Sequence, residues 1–199
     1  MKKPAITRVP VENTIAARWS GRAYDTNKSV SEEQTIALLE AARWAPSCYG
    51  DQPWRFIVWD KNKDVASWQK AFETLVEFNQ GWVKDSPLLF LIAADTQFHH
   101  NGKPNRWAAY DTGAAAENLC LQATALGLMA HQMAGFDADK VRQAFAIPEQ
   151  IEIIAMISVG YAADVSTLSG EVLERETAPR ARRELGELFF SGAWGKPVV

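Results

Sequence analysis

The stretch Trp44-Ala-Pro-Ser-Cys-Tyr-Gly-Asp-Gln-Pro-Trp-Arg-Phe56 stands between an amphipathic segment and a short apolar run. It brings two prolines, a glycine, several small polar side chains and an amide together within a few residues. Pro46 cannot continue a helix, because it lacks the backbone N–H and its ring clashes with the preceding turn. A plain connector does not need this concentration of polar groups. We therefore interpret the stretch as one wall of a binding pocket.

The segment before this loop carries a clear helix signal. Ser31-Glu-Glu-Gln34 is a capping box, in which the serine hydroxyl accepts from the Gln34 amide and the Gln34 side chain reaches back. The helix that it begins is predicted to reach about Trp44, with Ile36, Leu39 and Ala42 on its apolar face.

Four runs rich in β-forming or apolar residues are predicted as strands. They are Arg55–Trp59, Leu88–Ala94, Leu128–Gly135 and Ile151–Tyr161. The second run is apolar throughout, which is typical of a strand buried on both faces. Since helices alternate with these strands, the fold class predicted from the pattern is an α/β or α+β sandwich.

Further helices are predicted at Val11–Trp19, where Gly21 suits a stop, at Val65–Phe78, and at Arg106–Leu126. The aromatic residues Trp68 and Phe72 of the second are assigned to the core, and Asp137 is expected to cap a short helix before Pro148. Residues 162–199 show no regular pattern. A tail of that length is too long for a free loop, so it is expected to wrap a partner subunit or its own surface.

Composition narrows the class of protein. The 199 residues are 47% hydrophobic, so one domain spanning 1–199 is expected, with 162–199 as an extended arm. A net charge of −3 argues against a general binder of nucleic acid or acidic membranes. The longest apolar run, Leu88–Ala94, is far shorter than the ~20 residues of a membrane span.

The N-terminus has no apolar run behind its charges, and only Cys48 and Cys120 are present, so a cytoplasmic protein is expected.

Several catalytic motifs are missing. The sequence has no Gly-x-Gly-x-x-Gly, no Walker loop and no Gly-x-Ser-x-Gly elbow. His99, His100 and His131 do not have the spacing of metal ligands, so no metal site is expected. Cys48 could act as a nucleophile, but no histidine stands near it in the sequence, and an inert cysteine is the preferred interpretation.

Arginines near both ends of the chain offer a more specific signal. They are Arg18, Arg22, Arg180 and Arg182, and the four do not share a recurring i,i+4 pattern with acidic residues. They could simply be solvated surface residues. If the fold brings the two ends together, however, they would form a pocket for one phosphate dianion. With eight tryptophans available to flank a flat ring, the residues suggest an aromatic ligand that carries a phosphate.

Five motifs in order resemble those of the nitroreductase family. They are Arg18-Trp-Ser-Gly-Arg-Ala-Tyr24, Ala45–Phe56 with its Pro-Ser and Gln-Pro-Trp-Arg-Phe, Tyr110-Asp-Thr-Gly-Ala followed by Leu126-Gly-Leu, Ala130–Phe136, and Arg180-Ala-Arg-Arg-Glu-Leu185. Together they span residues 18 to about 190.

The resemblance implies an α+β fold with a central, mostly antiparallel sheet flanked by helices, in which the C-terminal extension wraps the partner subunit. It also implies an obligate homodimer with one FMN at each of two interface sites. The cofactor-binding residues implied in this way are Arg18, Trp19, Ser20, Arg22, Pro46, Ser47, Cys48, Tyr49, Gln52, Asn79, Gln132, Met133, Ala134, Gly135, Arg180 and Arg182.

Roles for these residues follow from the same resemblance. The segment Arg18–Arg22 would contact the phosphate, ribityl chain and pyrimidine edge, and Arg180 and Arg182 would complete the phosphate site. Pro46–Tyr49 would come from the other subunit and lie against the isoalloxazine ring, with Gln52 as a ribityl or supporting contact. Asn79 would bond the pyrimidine side of the ring. The backbone of Ala134 and Gly135 would lie beside the flavin atom N5.

The implied activity is a two-step exchange, in which NAD(P)H gives a hydride to flavin N5 and a nitroaromatic, quinone or similar acceptor then takes its place. No protein acid or base is assigned. Two alternatives stay open: a flavin carrier or sensor without turnover, and a flavoenzyme with a specialised acceptor. Tyr49 and Trp82 could shape the substrate pocket or pack at the interface. Trp19, Gly50 and Glu184 depart from the family pattern.

Overall fold

Four antiparallel strands form one sheet in the computed structural model, which describes residues 3–199. The strands are β1 (Trp54–Asp60), β2 (Leu88–Asp95), β3 (Met129–Met133) and β4 (Ile151–Gly160), and their order in the sheet is β1-β2-β4-β3. All three neighbouring pairs are antiparallel. The α+β class, the antiparallel sheet and the four predicted strands are therefore confirmed.

Eight helices surround this sheet within residues 3–199. They are α1 (Asn13–Ala17), α2 (Glu32–Arg43), α3 (Val65–Phe72), α4 (Glu77–Val83), α5 (Ala108–Ala125), α6 (Ala138–Ala144), α7 (Gly170–Thr177) and α8 (Leu185–Leu188). Short 3-10 turns occur at Cys48–Gly50 and Val165–Thr167.

The central strand β2 shows why the sheet has two covered faces. Its residues alternate, so that Leu88, Phe90 and Ile92 pack with the buried side chains of α2 and α5. Leu89 and Leu91 point the other way, into a second core that includes Trp59 of β1 and Trp68 of α3. The prediction that the apolar run is a strand buried on both faces is confirmed.

The capping box before α2 is present, with Ser31 Oγ accepting from Gln34 N at 3.1 Å and Gln34 Oε1 accepting from Ser31 N at 3.0 Å. The predicted apolar face of this helix is partly wrong. Ile36 is 53% exposed, whereas Leu38 is fully buried beside Ala42. Leu38 is buried instead because its side of the helix packs against α5 and the sheet.

The single helix predicted over Val65–Phe78 is wrong. The chain forms α3 and α4 with a break at 73–76, because Val76 N donates to the Gly135 carbonyl at 3.0 Å and Leu75 bridges to Phe136. These bonds take backbone groups that a continuous helix would use internally. The assignment of the aromatics to the core holds for Trp68, which is 2% exposed.

Both ends of the chain also differ from expectation. The first helix is shorter than predicted, because Arg18 already has an extended backbone, so Gly21 is not its stop. Residues 162–199 were expected to be irregular, but they contain α7 and α8. The segment after α7 packs on the same chain, where Arg180 Nη1 donates to the carbonyls of Lys3 and Ala16. Packing on its own surface was one of the two expected arrangements.

Among residues 3–199 there is no helix that combines the length and the apolar character needed to cross a bilayer. The same part of the chain contains no cluster of three or more His, Cys, Asp or Glu side chains arranged to hold a metal ion.

Candidate functional site

A cavity of about 240 Å³ lies where the segment after α1 meets α7 and the residues that follow it. Most of its lining side chains are cationic. The lining residues are Lys3, Arg18, Trp19, Ser20, Arg22, Arg175, Glu176, Arg180 and Arg182. All four arginines that the sequence singled out are thus brought together, although they come from opposite ends of the chain.

Close packing around Gly21 fixes one wall of this cavity. A Cβ at Gly21 would lie 2.2 Å from Met129 Sδ and 2.8 Å from both Trp19 Cη2 and Glu176 Oε2, so only glycine fits. The Gly21 carbonyl is 3.0 Å from His131 Nδ1 on β3. Glycine is needed here for close approach, rather than for the helix stop that the sequence suggested.

The cations of the cavity are only partly compensated. Burial, together with the charges of Arg18 and Arg182, lowers the pKa of Arg180 below its usual value. Arg18 Nε forms an ion pair with Glu117 Oε1 of α5 at 3.4 Å, and burial raises the pKa of that carboxyl despite the nearby guanidinium. Arg182 Nη1 donates only to its neighbouring carbonyl, Ala181 O, at 2.8 Å. This excess of positive charge suits an anionic group.

Arg22 carries the clearest sign of a missing partner. Its guanidinium carbon lies 5.5 Å from the centre of the Phe78 ring and 5.9 Å from that of Trp82. Its Nε is buried and has no hydrogen-bond acceptor among residues 3–199. A buried donor without an acceptor is costly, so a ligand acceptor at this position would be stabilised.

The β3 exit forms a second part of the candidate site. Asn79 Nδ2 on α4 donates to the Gly135 carbonyl at 3.0 Å, so this amide fixes the loop. A Cβ at Gly135 would come within 2.5 Å of that nitrogen. Gln132 is exposed and donates to Glu117 Oε2 at 3.2 Å, whereas Met133 is buried. Of the residues predicted here, Gln132 and Ala134 are exposed.

The Pro46–Gln52 loop lies apart from the cationic cavity and contributes none of its lining residues. The loop is held by a bond within itself, in which Ser47 Oγ accepts from Gln52 N at 3.0 Å, and by a bond to α5, in which Cys48 N donates to Asp111 Oδ2 at 2.9 Å. Tyr49 is 84% exposed and has a φ of +57°, a conformation that non-glycine residues rarely adopt. The loop therefore presents its tip outward.

The two candidate pocket aromatics have different environments. Trp82 is 7% exposed and packs in the core of its own chain, with its ring centre 4.5 Å from that of His131. Neither suggested role, at a substrate pocket or at an interface, matches that burial. Burial, with the charges of Arg22 and Arg18, lowers the pKa of His131. Tyr49 instead packs edge-on against Phe98 at the surface.

Three cavity residues were not foreseen: Lys3, Arg175 and Glu176. The last two lie on α7, whose sequence Gly-Glu-Val-Leu-Glu-Arg-Glu-Thr is rich in good helix formers and is followed closely by Pro179. That composition was a usable helix signal. It could not show which face of the helix meets the arginines.

Comparison with known proteins identifies the family whose sequences and structures this chain resembles. Residues 15–161 match the family model described as the Nitroreductase family. A solved structure described as an oxidoreductase containing FMN is 32% identical, with a TM-score of 0.87 and 96% of each chain covered. A nitroreductase family protein of Clostridium difficile is 26% identical, with a TM-score of 0.67, covering 88% of this chain and 94% of that chain.

A third relative adds a named activity of its own. The major NAD(P)H-flavin oxidoreductase of Aliivibrio fischeri is 32% identical over 84 residues, which are 42% of this chain and 38% of that protein. The family match covers well over half of the sequence. The chain belongs to the nitroreductase family.

Proposed function

We propose that this protein is an FMN-dependent oxidoreductase that uses NAD(P)H to reduce an electron-poor acceptor, such as a nitroaromatic compound or a quinone. The observation that carries the proposal is the cationic cavity with the unpartnered Nε of Arg22. Support comes from the similar structure described as containing FMN and from the NAD(P)H-flavin oxidoreductase of Aliivibrio fischeri.

The residues of the cavity fit the phosphate end of FMN. Arg18, Arg180 and Arg182 offer several N–H donors to one dianion, whose charge would offset the burial and the repulsion that together lower the pKa of Arg180. The cavity volume of about 240 Å³ is smaller than the roughly 300–1,000 Å³ of typical small-molecule sites. The flavin ring would therefore extend beyond the cavity.

Other residues of the chain would orient the cofactor. Arg22 is held against two aromatic rings and has its Nε free to donate to an acceptor atom of the ring system. The bond from Asn79 to the Gly135 carbonyl fixes the loop that would lie beside the ring. FMN, when bound, supplies hydride exchange between NAD(P)H and the acceptor.

We further propose a homodimer in which the Pro46–Tyr49 segment covers the cofactor held by the partner subunit. Two observations support this arrangement. The loop lies outside its own cavity, and its tip residue Tyr49 is strongly exposed although its backbone is strained. Trp44 and Tyr110, each 75% exposed, add apolar surface that a subunit interface would bury. The two free cysteines fit a cytoplasmic location.

The cofactor proposal has a direct test. Purified protein is expected to be yellow and to release FMN on denaturation, identified by chromatography. Anaerobic addition of NADH or NADPH is expected to bleach the flavin band, and a panel of acceptors would then identify which one restores it. Colourless protein that cannot be reconstituted with FMN would refute the cofactor. Flavin that stays oxidised with both donors would favour a carrier or sensor.

A subunit-mixing experiment tests the dimer. The Arg18→Ala/Arg182→Ala variant has a damaged cavity and a normal loop, and Pro46→Trp has a normal cavity and an obstructing loop. Co-expression of the two chains is expected to restore about one quarter of wild-type activity, because half the dimers are mixed and each mixed dimer has one intact site. No restoration would mean that the loop serves its own chain.

A further inference from the structure

A single carboxylate stands among the cations of the cavity. Glu176 on α7 lines the cavity and is only 3% exposed. It takes part in none of the ion pairs formed within residues 3–199, because Arg18 pairs with Glu117 and Arg175 with Glu171. A buried carboxylate is costly unless its interactions compensate for lost hydration, so its contacts need an explanation.

Glu176 is bound to the backbone of the Gly21–Arg22 segment. Its Oε1 accepts from Arg22 N at 2.9 Å, across 154 positions of sequence. Its Oε2 lies against Gly21, where an added Cβ would come within 2.8 Å of it. The carboxylate thus fixes the point at which the Gly21–Arg22 segment passes α7.

The position of the Arg22 guanidinium depends on this anchor. That group is packed near Phe78 and Trp82, and its buried Nε has no partner within the described part of the chain. A side chain held on aromatic faces by weak contacts keeps its direction only if its backbone is fixed. Glu176 on α7 provides that restraint through its bond to Arg22 N.

The negative charge of Glu176 has a second effect, which acts against the binding of an anion. It neutralises part of the positive charge in the cavity, which favours the folded chain when no anion is bound. The same charge repels a phosphate that enters the cavity. One carboxylate therefore both organises the arginine segment and limits the affinity for the anion.

From these contacts we infer that Glu176 is a positioning residue for phosphate binding, which aligns Arg22 through its backbone and restrains the affinity of the cavity for phosphate. The inference rests on the proposed function for the identity of the ligand, FMN. The effect of Glu176 on phosphate binding depends only on the cavity.

Glu176→Gln separates the two effects, because the amide oxygen can still accept from Arg22 N while the charge is removed. In full-length protein freed of flavin, this variant is expected to bind FMN roughly threefold to tenfold more tightly, with riboflavin affinity unchanged. Glu174→Gln is the matched control, since Glu174 lies on the same helix but is exposed and does not line the cavity. It is expected to leave both affinities unchanged.

Glu176→Ala removes the acceptor as well as the charge. It is expected to weaken FMN and riboflavin binding alike, by roughly tenfold, since the Arg22 N–H loses its partner and the segment its alignment. Calorimetric titration of wild-type protein and all three variants with both flavins gives the ratio of FMN affinity to riboflavin affinity for each of the four proteins. If the alanine variant does not fold, the glutamine variant still tests the inference. An FMN-to-riboflavin ratio equal to that of wild type in Glu176→Gln would overturn the inference.

Inorganic phosphate keeps this test independent of the cofactor proposal. If wild-type protein binds neither flavin, the proposed function fails. The inference then still requires that phosphate at constant ionic strength raises the melting temperature of Glu176→Gln more than that of wild type or Glu174→Gln. Equal shifts in all three proteins would overturn it.

Discussion

The cationic cavity and the Pro46–Gln52 loop are both parts of the candidate site, but they are held in different ways. Contacts between distant parts of the chain build the cavity: Glu176 binds the backbone of Arg22, and Arg180 binds the carbonyls of Lys3 and Ala16. The loop combines a bond within itself, from Gln52 N to Ser47 Oγ, with bonds to Asp111 and His99 in the middle of the chain. The two ends of one chain thus form the cavity, whereas the loop contributes none of its lining residues.

This difference separates two properties of the site. Affinity for an anion is expected to depend on the long-range contacts of the cavity, because they hold several cations close together. The loop is expected to influence what lies above a bound cofactor, with little effect on how the phosphate is held. Variants of the cavity should therefore change the affinity for an anion, whereas variants of the loop should change properties that depend on what covers the cofactor.

The largest effect is expected for Arg18→Ala/Arg182→Ala. Loss of two charge-assisted contacts, each worth roughly 1.5–3 kcal/mol, should weaken FMN binding by about 100-fold or more, with much less effect on riboflavin, which lacks the phosphate. Fluorescence titration with the two flavins measures both affinities. Arg183→Ala is the control, because Arg183 is exposed and does not line the cavity. Unchanged FMN affinity in the double variant would place the phosphate elsewhere.

A smaller effect is expected for Gly21→Ala, which tests the packing of the cavity wall. The new Cβ would meet Met129, Trp19 and Glu176, so the free energy of unfolding should fall by roughly 1–3 kcal/mol, measured by urea denaturation. Gly81→Ala is the matched control inside α4, where a Cβ meets nothing within 4 Å. That variant should gain about 0.5–1 kcal/mol. A change in Gly21→Ala equal to that in Gly81→Ala would show that the wall is not tightly packed.

The acid side of the stability profile should depend on His131, which supports Gly21 from β3. Because the pKa of His131 is lowered in the folded chain, the unfolded chain binds the proton more readily once the pH falls below about 6.5. Stability should therefore decrease from about pH 7 downward, with a contribution of at most about 1.4 kcal/mol per pH unit.

His131→Asn tests this pH dependence, since its amide can still donate to the Gly21 carbonyl. The slope of unfolding free energy between about pH 7.5 and 5.5 should be shallower in the variant. The raised pKa of Glu117 acts in the opposite sense, because stability from its protonated form is lost as the pH rises. An identical slope in both proteins would mean that other groups control this window.

The smallest effect is expected in the loop. Tyr49→Gly should raise the free energy of unfolding by up to about 1 kcal/mol, because glycine adopts a positive φ without strain. The same variant should raise the KM for the acceptor if the loop covers the cofactor. Ala146→Gly relieves a similar φ of +51° elsewhere and should leave the KM unchanged. Matching KM values in all three proteins would argue against a covering role for Tyr49.

Local patterns in the sequence predicted much of the fold. Ser31-Glu-Glu-Gln34 predicted the start of α2, the apolar run predicted β2, and Asp137 was expected to cap α6, where its side chain accepts from Lys140 N. Each of these depends on residues only a few positions apart. The break at 73–76 could not be predicted in this way, because it depends on bonds to the distant β3 exit, where Val76 N donates to the Gly135 carbonyl and Asp137 N donates to the Thr74 carbonyl.

For the site, the sequence by itself identified the four arginines, and the order of its motifs indicated the family. It could not identify Lys3, Arg175 or Glu176 as their neighbours. Charge and helix propensity belong to a residue and its near neighbours, and so are visible in the sequence. Which cations share one cavity, and which carboxylate lies between them, depends on contacts across some 150 positions of the chain. Only the tertiary structure decided those contacts, because packing on the sheet determines where both ends of the chain meet.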